Sequence, residues 1–113
     1  MAETAQLRTR IRALQNRRRS LESRLLQPQE MIAASLLKRF LGSGSRRRAS
    51  PAYYLSRSQQ GRSRLRYIKQ AALATVRRQC QAYAAFRENL TEWRRLGREL
   101  ETLFQGLLGA QSR

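Results

Sequence analysis

Residues 69 to 108 read KQAALATVRRQCQAYAAFRENLTEWRRLGRELETLFQGLL, and apolar side chains recur along this stretch at heptad spacing. One set of positions comprises Val76, Tyr83, Leu90, Gly97 and Phe104, and the other comprises Phe86, Trp93, Leu100 and Leu107. Two apolar positions per heptad, kept in phase over several repeats, are typical of a helix that pairs with another helix. The stretch therefore predicts a long coiled-coil-like C-terminal helix, and we expect a close helix crossing at Gly97.

Two shorter helices are predicted upstream. Residues 4 to 26 place apolar side chains at alternating three- and four-residue steps, at Leu7, Ile11, Leu14, Leu21 and Leu25. Arg18 occupies the slot between Leu14 and Leu21. Pro28 ends this helix, because proline cannot donate the backbone hydrogen bond that a helix interior requires. Residues 29 to 41 form the second predicted helix, with Gly42 as its stop.

Residues 53 to 68 follow a two-residue rhythm on either side of Ser58-Gln59-Gln60-Gly61, which predicts a β-hairpin with glycine at a position of positive φ. One face would carry Tyr53, Leu55, Arg57, Arg62, Arg64 and Arg66, and the other Tyr54, Ser56, Ser63, Leu65 and Tyr67. Because an isolated hairpin is marginal in water, we expect the second face to rest on a helix. The arginine face would then point outward.

The predicted fold class is mainly α, with two N-terminal helices, a small β-hairpin and a long C-terminal coiled-coil-like helix. We expect residues 1–27 to form a basic coiled-coil helix. Residues 28–113 would form a single small domain of helix, arginine-rich loop, β-hairpin and long helix. A chain of 113 residues has a thin core, so helix pairing, oligomerisation or a bound partner should add to its stability.

The charge of the chain is large and one-sided. It carries 24 Lys and Arg against seven acidic residues, a net charge of +17, and residues 31 to 87 hold thirteen of the cations and no carboxylate. Residues 88 to 113 balance four arginines against four glutamates, so the whole excess lies upstream. A field of one sign without an internal partner favours a polyanion, and phosphate backbones fit that description best.

The candidate nucleic-acid-binding residues are cations of this region and two tyrosines among them. They comprise Arg46, Arg47 and Arg48 of the flexible loop GSGSRRRAS at residues 42–50, then Arg57, Arg62, Arg64, Arg66, Lys69, Arg77 and Arg78, with Tyr53 and Tyr54. Arginine forks bind phosphates, and tyrosine rings, that of Tyr67 included, stack on bases. The alternatives are a solubilising edge for the hairpin arginines, a disordered loop, and half-buried packing tyrosines.

The candidate protein-interface residues lie on the neutral, apolar-striped half of the long helix: Leu90, Trp93, Leu100, Phe104 and Leu107. A neutral segment on a basic body favours contact with protein, either a second copy of the chain or a larger partner. The alternative for Trp93 and Phe104 is a place in a coiled-coil core.

The residue inventory argues against an enzyme and against a metal site. The chain has no His, no Asp and a single cysteine, so Ser-His-Asp and Cys-His arrangements cannot be built and a metal ligand set is missing. Cys80 is expected to pack, and Glu88 and Glu92 are expected to pair with arginines. We therefore predict no catalytic residue, no metal, no cofactor and no small-molecule substrate. The apolar runs are too short to span a bilayer and no signal-peptide core is present, which favours a cytoplasmic protein without membrane contact.

The order of motifs resembles that of a known family. Residues 34–40 read ASLLKRF, residues 51–57 read PAYYLSR and residues 61–68 read GRSRLRYI, and a long helix follows. These blocks resemble a family of uncharacterised small basic bacterial proteins, a domain of unknown function. Its pattern is approximately G-S-L-x-x-R-Y, C-G-K-x-x-C-x-C, G-P-Y-Y-Y-L-S-R and G-G-x-x-R-x-R-Y-V.

The resemblance covers residues 34 to 108 but lacks the family's cysteine block. Ser43-Gly44 and Arg46-Arg47-Arg48 stand where the family has its cysteines, so a zinc role would be lost or replaced by the arginine cluster. The resemblance implies a bacterial or phage-like source and a partner in mobile-element or defence machinery.

These observations favour a non-catalytic accessory protein that clamps RNA or DNA phosphates with its arginine-rich loop and hairpin. Its C-terminal helix would dock onto a second copy or a larger nucleoprotein machine. RNA is slightly preferred, because loops rich in Arg and Tyr suit irregular or single-stranded targets. The alternative is an adaptor or inhibitor whose cations face an acidic protein surface. A basic amphipathic helix on a membrane surface is a third option, which the hairpin disfavours.

Overall fold

The computed structural model describes residues 2–112, which form two α-helices and a three-stranded antiparallel sheet. In chain order the elements are α1 at Ala2–Leu25, β1 at Ser35–Arg39, β2 at Ala52–Gln59, β3 at Arg62–Ile68 and α2 at Leu73–Gln111. Short 3-10 turns lie at Gly44–Arg46 and Gln70–Ala72. The predicted mainly α class, the N-terminal helix, the hairpin and the long C-terminal helix are confirmed.

The second predicted N-terminal helix is wrong. Ser35–Arg39 is a strand, β1, which pairs antiparallel with β2, so that β2 becomes the central strand of the sheet. A hairpin alone is marginal, whereas three strands packed against a helix are stable. Pairing with β2 therefore outweighs the local helical pattern, which rested on a short apolar run that fits either period.

The described chain divides into two compact units. The helical unit consists of the segment up to Pro28 and the segment from Phe86 onward, and the sheet unit is Gln29–Ala85. Each unit includes part of α2. The structure thus groups the N-terminal helix with the end of the chain, whereas the sequence suggested a boundary after residue 27.

The helical unit is an antiparallel pair formed by α1 and the C-terminal half of α2. Its buried residues and the side chains packed against them are Ile11, Leu14, Leu21, Leu96 and Leu100, with Trp93, Leu103 and Leu107. Arg10 pairs with Glu99 at 2.8 Å and Arg17 pairs with Glu92 at 3.1 Å. Later residues of α1 therefore contact earlier residues of α2, as antiparallel packing requires. The predicted seam of the N-terminal helix, with Ile11, Leu14 and Leu21 inward, is confirmed.

The seam of α2 differs from the predicted one by one set of positions. Leu96 has no exposed surface and Leu103 packs against the core, whereas Phe104 is 48% exposed. The apolar line that meets α1 runs through Trp93, Leu96, Leu100, Leu103 and Leu107. These five residues are spaced three or four positions apart and include no glycine. They therefore bury more apolar surface than the predicted set of positions that contains Gly97.

Arg18 fills the break in the seam of α1 and lies against Gly97 of α2. Its guanidinium carbon is 4.4 Å from the ring centroid of Trp93, and a Cβ added at Gly97 would lie 3.3 Å from its Nη2 atom. The Nε atom is buried without a hydrogen-bond partner among the described residues, and the nearest Glu22 oxygen is 3.8 Å away. Gly97 therefore makes room for the guanidinium, and the expected close crossing is a contact with Arg18.

The sheet unit packs one face of its sheet on the first turns of α2. Its core consists of Leu55, Ile68, Leu73 and Cys80, with Ile32, Ala34, Leu36, Tyr53 and Val76 packed against it. Gln60 and Gly61 form the β2–β3 turn with φ values of 52° and 76°, so positive φ extends to both residues. This two-residue turn fixes the pairing and confirms the predicted sorting of side chains between the two faces.

The side of the sheet that meets the helix is the opposite of the predicted one. Leu55 and Ile68 lie on the face that also carries the hairpin arginines, and they are 5% and 8% exposed. Tyr67, on the other face, is 59% exposed. The reason is that Ile68 stands opposite Tyr53, which makes one end of the arginine face apolar enough to pack on α2. The arginines occupy the other end of that face.

Candidate nucleic-acid interface

The sheet unit concentrates positive charge that nothing in the described chain neutralises. Residues 29–85 hold twelve Lys and Arg and one carboxylate, that of Glu30, which accepts a hydrogen bond from Gln79 Nε2 at 3.0 Å. Within residues 2–112, no cation of this unit forms an ion pair. In the helical unit, by contrast, Arg95 binds both Glu92 and Glu99. The hydrogen bond from Arg95 holds the pKa of Glu92 below its ordinary value, so this carboxylate stays ionised.

Four arginines cluster at the β2–β3 turn end of the sheet, and we call them the turn-end cluster: Arg57, Arg62, Arg64 and Arg66. The strand pairing sets Arg57 directly opposite Arg64. All four share one face and are exposed. Like charges at directly opposed positions of a sheet destabilise it. The arrangement therefore carries an electrostatic cost that a bound anion would remove.

Three arginines of the turn-end cluster line a depression of about 250 Å³, whose lining residues are Leu55, Arg57, Gln59, Arg64, Leu65 and Arg66. Several guanidinium groups on one open face suit phosphate oxygens, because each guanidinium donates a planar fork of N–H groups.

The predicted flexible loop is folded into a closed turn at the other end of the sheet. Arg48 N–H donates to the carbonyl of Leu41 at 2.8 Å, and the Arg47 guanidinium lies 4.5 Å from the ring centroid of Phe40. Gly42 has a φ of 84°, and a Cβ there would lie 2.3 Å from the Arg46 carbonyl oxygen. Only glycine fits, so the loop presents its arginines from a defined backbone. We call Arg46, Arg47 and Arg48 the loop cluster.

The two arginine clusters lie at opposite ends of β2. The loop cluster precedes Ala52, and the turn-end cluster begins at Arg57 and continues past Gln59. At about 3.3 Å per residue, Arg57 lies roughly 17 Å along β2 from Ala52, and Arg66, opposite Leu55, lies closer. The loop and hairpin arginines that were predicted to form a single clamp thus form two clusters toward the two ends of β2.

The two tyrosines chosen as stacking candidates face opposite sides of the sheet. Tyr53 packs against the helix-side core, and the Arg77 guanidinium lies 5.3 Å from its ring centroid. Tyr54 lies on the other face, where its ring meets that of Tyr67 edge-on at 5.7 Å. Tyr53 is therefore a packing residue, which was the alternative to base stacking, while Tyr54 and Tyr67 lie on the face turned away from the helix.

The remaining predicted cations lie beside the sheet. Lys69 directly follows β3, and Arg77 and Arg78 are exposed on the first turns of α2. Arg39 was not among the candidates, because its segment was read as a helix. The strand places it opposite Ala52, on the same face as Tyr54. Residues 35–39 read SLLKR, which does not alternate between polar and apolar positions, so the sequence carried no signal for this strand or for Arg39.

The predicted protein-interface residues mostly pack inside the chain. Leu100 is buried and Leu107 packs against the core of the helical unit. The Trp93 indole N–H donates to Glu22 at 3.0 Å. Leu90 is half-buried, and Phe104 is the most exposed of the five. Docking onto another protein stays a prediction, and among these residues Phe104 offers the most accessible apolar surface.

Comparison with protein-family models, with curated proteins and with solved structures found no match for this chain. The resemblance to the family of small basic bacterial proteins stays a prediction. Among residues 2–112 no cluster of His, Cys, Asp or Glu suited to a metal ion is present. Neither helix described here has the combination of length and apolar character needed to cross a membrane.

Cys80 gives a direct check on the packing of the sheet unit. Burial in this core raises the pKa of its thiol, and the charge of Arg57 partly offsets the rise. We expect iodoacetamide to modify the native protein at pH 7.5 at least about tenfold more slowly than the protein in denaturant, because the thiolate is scarce and shielded. The two modification rates are measured by mass spectrometry, and equal rates for the native and the denatured protein would contradict this packing.

Proposed function

We propose that this chain is a non-catalytic nucleic-acid-binding protein that holds phosphates on the arginines of its sheet unit. The observation that carries the proposal is the direct opposition of Arg57 and Arg64 in a sheet unit whose cations have no ion-pair partner among the described residues. A phosphate placed between two such guanidinium groups would turn a repulsive pair into a binding site.

The geometry supports contact with an extended polyanion. The turn-end cluster and the loop cluster together offer seven arginines toward the two ends of β2, with Arg57 roughly 17 Å along the strand from Ala52. An isolated phosphate would engage one place only, whereas a nucleic-acid strand would engage both. Contacts of this kind set position and affinity but read little sequence.

The helical unit would serve a different purpose in this proposal. Glu92 pairs with Arg17 and Arg95, and Glu99 pairs with Arg10 and Arg95, so this unit contributes less to an uncompensated positive field. Docking onto a second copy or a larger nucleoprotein partner would rest on the exposed Phe104 and Leu108.

The proposal is tested by binding at graded salt. Fluorescence anisotropy with labelled 20-nucleotide single-stranded RNA, single-stranded DNA and duplex DNA would be recorded between 50 and 200 mM NaCl. With four to seven phosphate contacts, we expect affinity to fall roughly 10²- to 10⁴-fold over this range for at least one of the three.

The proposal would be contradicted if the protein bound none of the three probes at 50 mM salt. Circular dichroism must show in the same sample that the helices are formed. Binding to an acidic protein surface would then become the better explanation of the charge.

A further inference from the structure

One face of the three-stranded sheet carries exposed aromatic and apolar side chains. The core residues of the sheet unit lie on the face that meets α2, and the opposite face, here called the outer face, carries Ser35, Leu37, Arg39, Tyr54, Ser56, Ser58, Ser63, Leu65 and Tyr67. Tyr67 is 59% exposed and Leu65 is 44% exposed. An aromatic and apolar patch that remains in water is a usual sign of a binding surface.

A row of one leucine and two tyrosines crosses all three strands on the outer face. Leu37 of β1 lies opposite Tyr54 of β2, and Tyr54 lies opposite Tyr67 of β3. The rings of Tyr54 and Tyr67 meet at an angle of 67° with centroids 5.7 Å apart. An edge-to-face pair is held in place by its own contact, so the more exposed ring is positioned before any ligand arrives.

The surroundings of the row are positive at one end and hydroxyl-rich at the other. Arg39 lies two positions from Leu37 along β1, at the sheet end from which the loop cluster extends. Ser56 lies beside the row, and Ser58 and Ser63 continue toward the turn. No acidic residue stands on any strand.

These features complement a ligand that combines planar rings with negative charge. Unpaired nucleotides have both, since each base offers a ring face and each linkage a phosphate. A duplex keeps its base faces inside the stack and can present only phosphates and groove edges. The serine hydroxyls donate and accept hydrogen bonds, as base edges and the ribose 2′-OH require.

We propose that the outer face binds single-stranded nucleic acid, with Tyr67 and Tyr54 stacking on unpaired bases while Arg39 and the loop cluster hold the adjoining phosphates. This inference rests on the proposed nucleic-acid-binding function and names its substrate class. The turn-end cluster lies on the other face and supplies contacts that do not distinguish single strands from duplex.

The test compares Tyr67→Ala, Tyr67→Leu and Tyr67→Phe with the unaltered chain on a single strand and its duplex at 100 mM NaCl. Alanine and leucine variants should lose about 5- to 100-fold in affinity for the single strand and keep their affinity for duplex. The phenylalanine variant should retain binding, since it keeps the ring. Leucine preserves most of the apolar packing, so it separates stacking from stability.

The outcomes separate this inference from the function on which it rests. If the unaltered chain binds with steep salt dependence but Tyr67→Ala and Tyr67→Leu stay within about twofold on the single strand, the outer face is not a stacking surface and phosphate binding stands. An equal loss on single strand and duplex would also overturn the inference. If the unaltered chain binds neither probe at 50 mM salt, both proposals fall, and an acidic protein partner replaces them.

Discussion

Replacing Leu96 by alanine is expected to lower the free energy of unfolding of the helical unit by about 2–5 kcal/mol. Leu96 has no exposed surface and lies between Ile11, Leu14 and Leu21 of α1 and Leu100 of α2. Deleting its isobutyl group removes buried apolar surface and leaves a cavity that two packed helices can only partly close. In a small protein this is a large share of the total stability.

Trp93 makes the measurement specific. It is the single tryptophan and packs against the core of the helical unit, so its fluorescence during urea unfolding reports on that unit. Leu108→Ala is the matched control, because Leu108 is 62% exposed on the same helix and should change stability by no more than about 0.5 kcal/mol. A loss under about 1 kcal/mol for Leu96→Ala would show that the seam does not run through this residue.

Replacing the four arginines of the turn-end cluster by glutamine is expected to weaken nucleic-acid binding by roughly 10²-fold or more at 100 mM salt. The slope of log K against log salt should become shallower by about 0.7–0.9 for each phosphate that these arginines neutralise in the unaltered chain. The same change removes the opposed Arg57–Arg64 pair, so the free protein should become equally or more stable. Salt-titrated anisotropy and thermal unfolding measure the two effects on one sample.

The matched control changes the charge by the same amount elsewhere. Arg12, Arg19, Arg24 and Arg94 are exposed in the helical unit, and their replacement by glutamine also lowers the net charge by four. A position-specific contact predicts that this control retains most of the affinity. Equal losses in the two variants would show that total charge alone, and not the turn-end cluster, governs binding.

The sequence predicts burial correctly within a single helix or strand when its apolar residues follow one clear period. The leucines of α1 and the alternation of the hairpin each allow one burial pattern, so the seam of α1 and the sorting of hairpin faces follow from sequence. The same holds for Gly61, whose positive φ belongs to a two-residue hairpin turn.

The errors arose where a choice depends on another part of the chain. Residues 35–39 contain too few apolar positions to separate a helix from a strand, and only pairing with β2 decides. The face of the hairpin that packs depends on Ile68 standing opposite Tyr53, which requires the exact pairing of the strands. For α2, two heptad lines were available, and contact with α1 selects the line through Leu96.

The layout of the candidate site was not predicted from the sequence. Composition favours a polyanion partner, because residues 31–87 hold thirteen cations and no carboxylate, and that partner stays a prediction. That the loop cluster and the turn-end cluster lie at opposite ends of a sheet, and that Tyr54 and Tyr53 separate to opposite faces, are consequences of strand pairing. Neither can be read from a list of residues.

The contact between Arg18 and Gly97 also fixes how the two helices are aligned. Gly97 belongs to a line that repeats every seven residues, with Leu90 before it and Phe104 after it. Sliding α1 by one heptad would carry the guanidinium of Arg18 onto one of those large side chains, whereas even a single Cβ added at Gly97 would lie only 3.3 Å from its Nη2 atom. A charged group that fits at one place penalises every shifted alignment, as a polar residue does in a coiled coil. The glycine that weakens the helix locally thus selects a single alignment from several that leucines alone would tolerate.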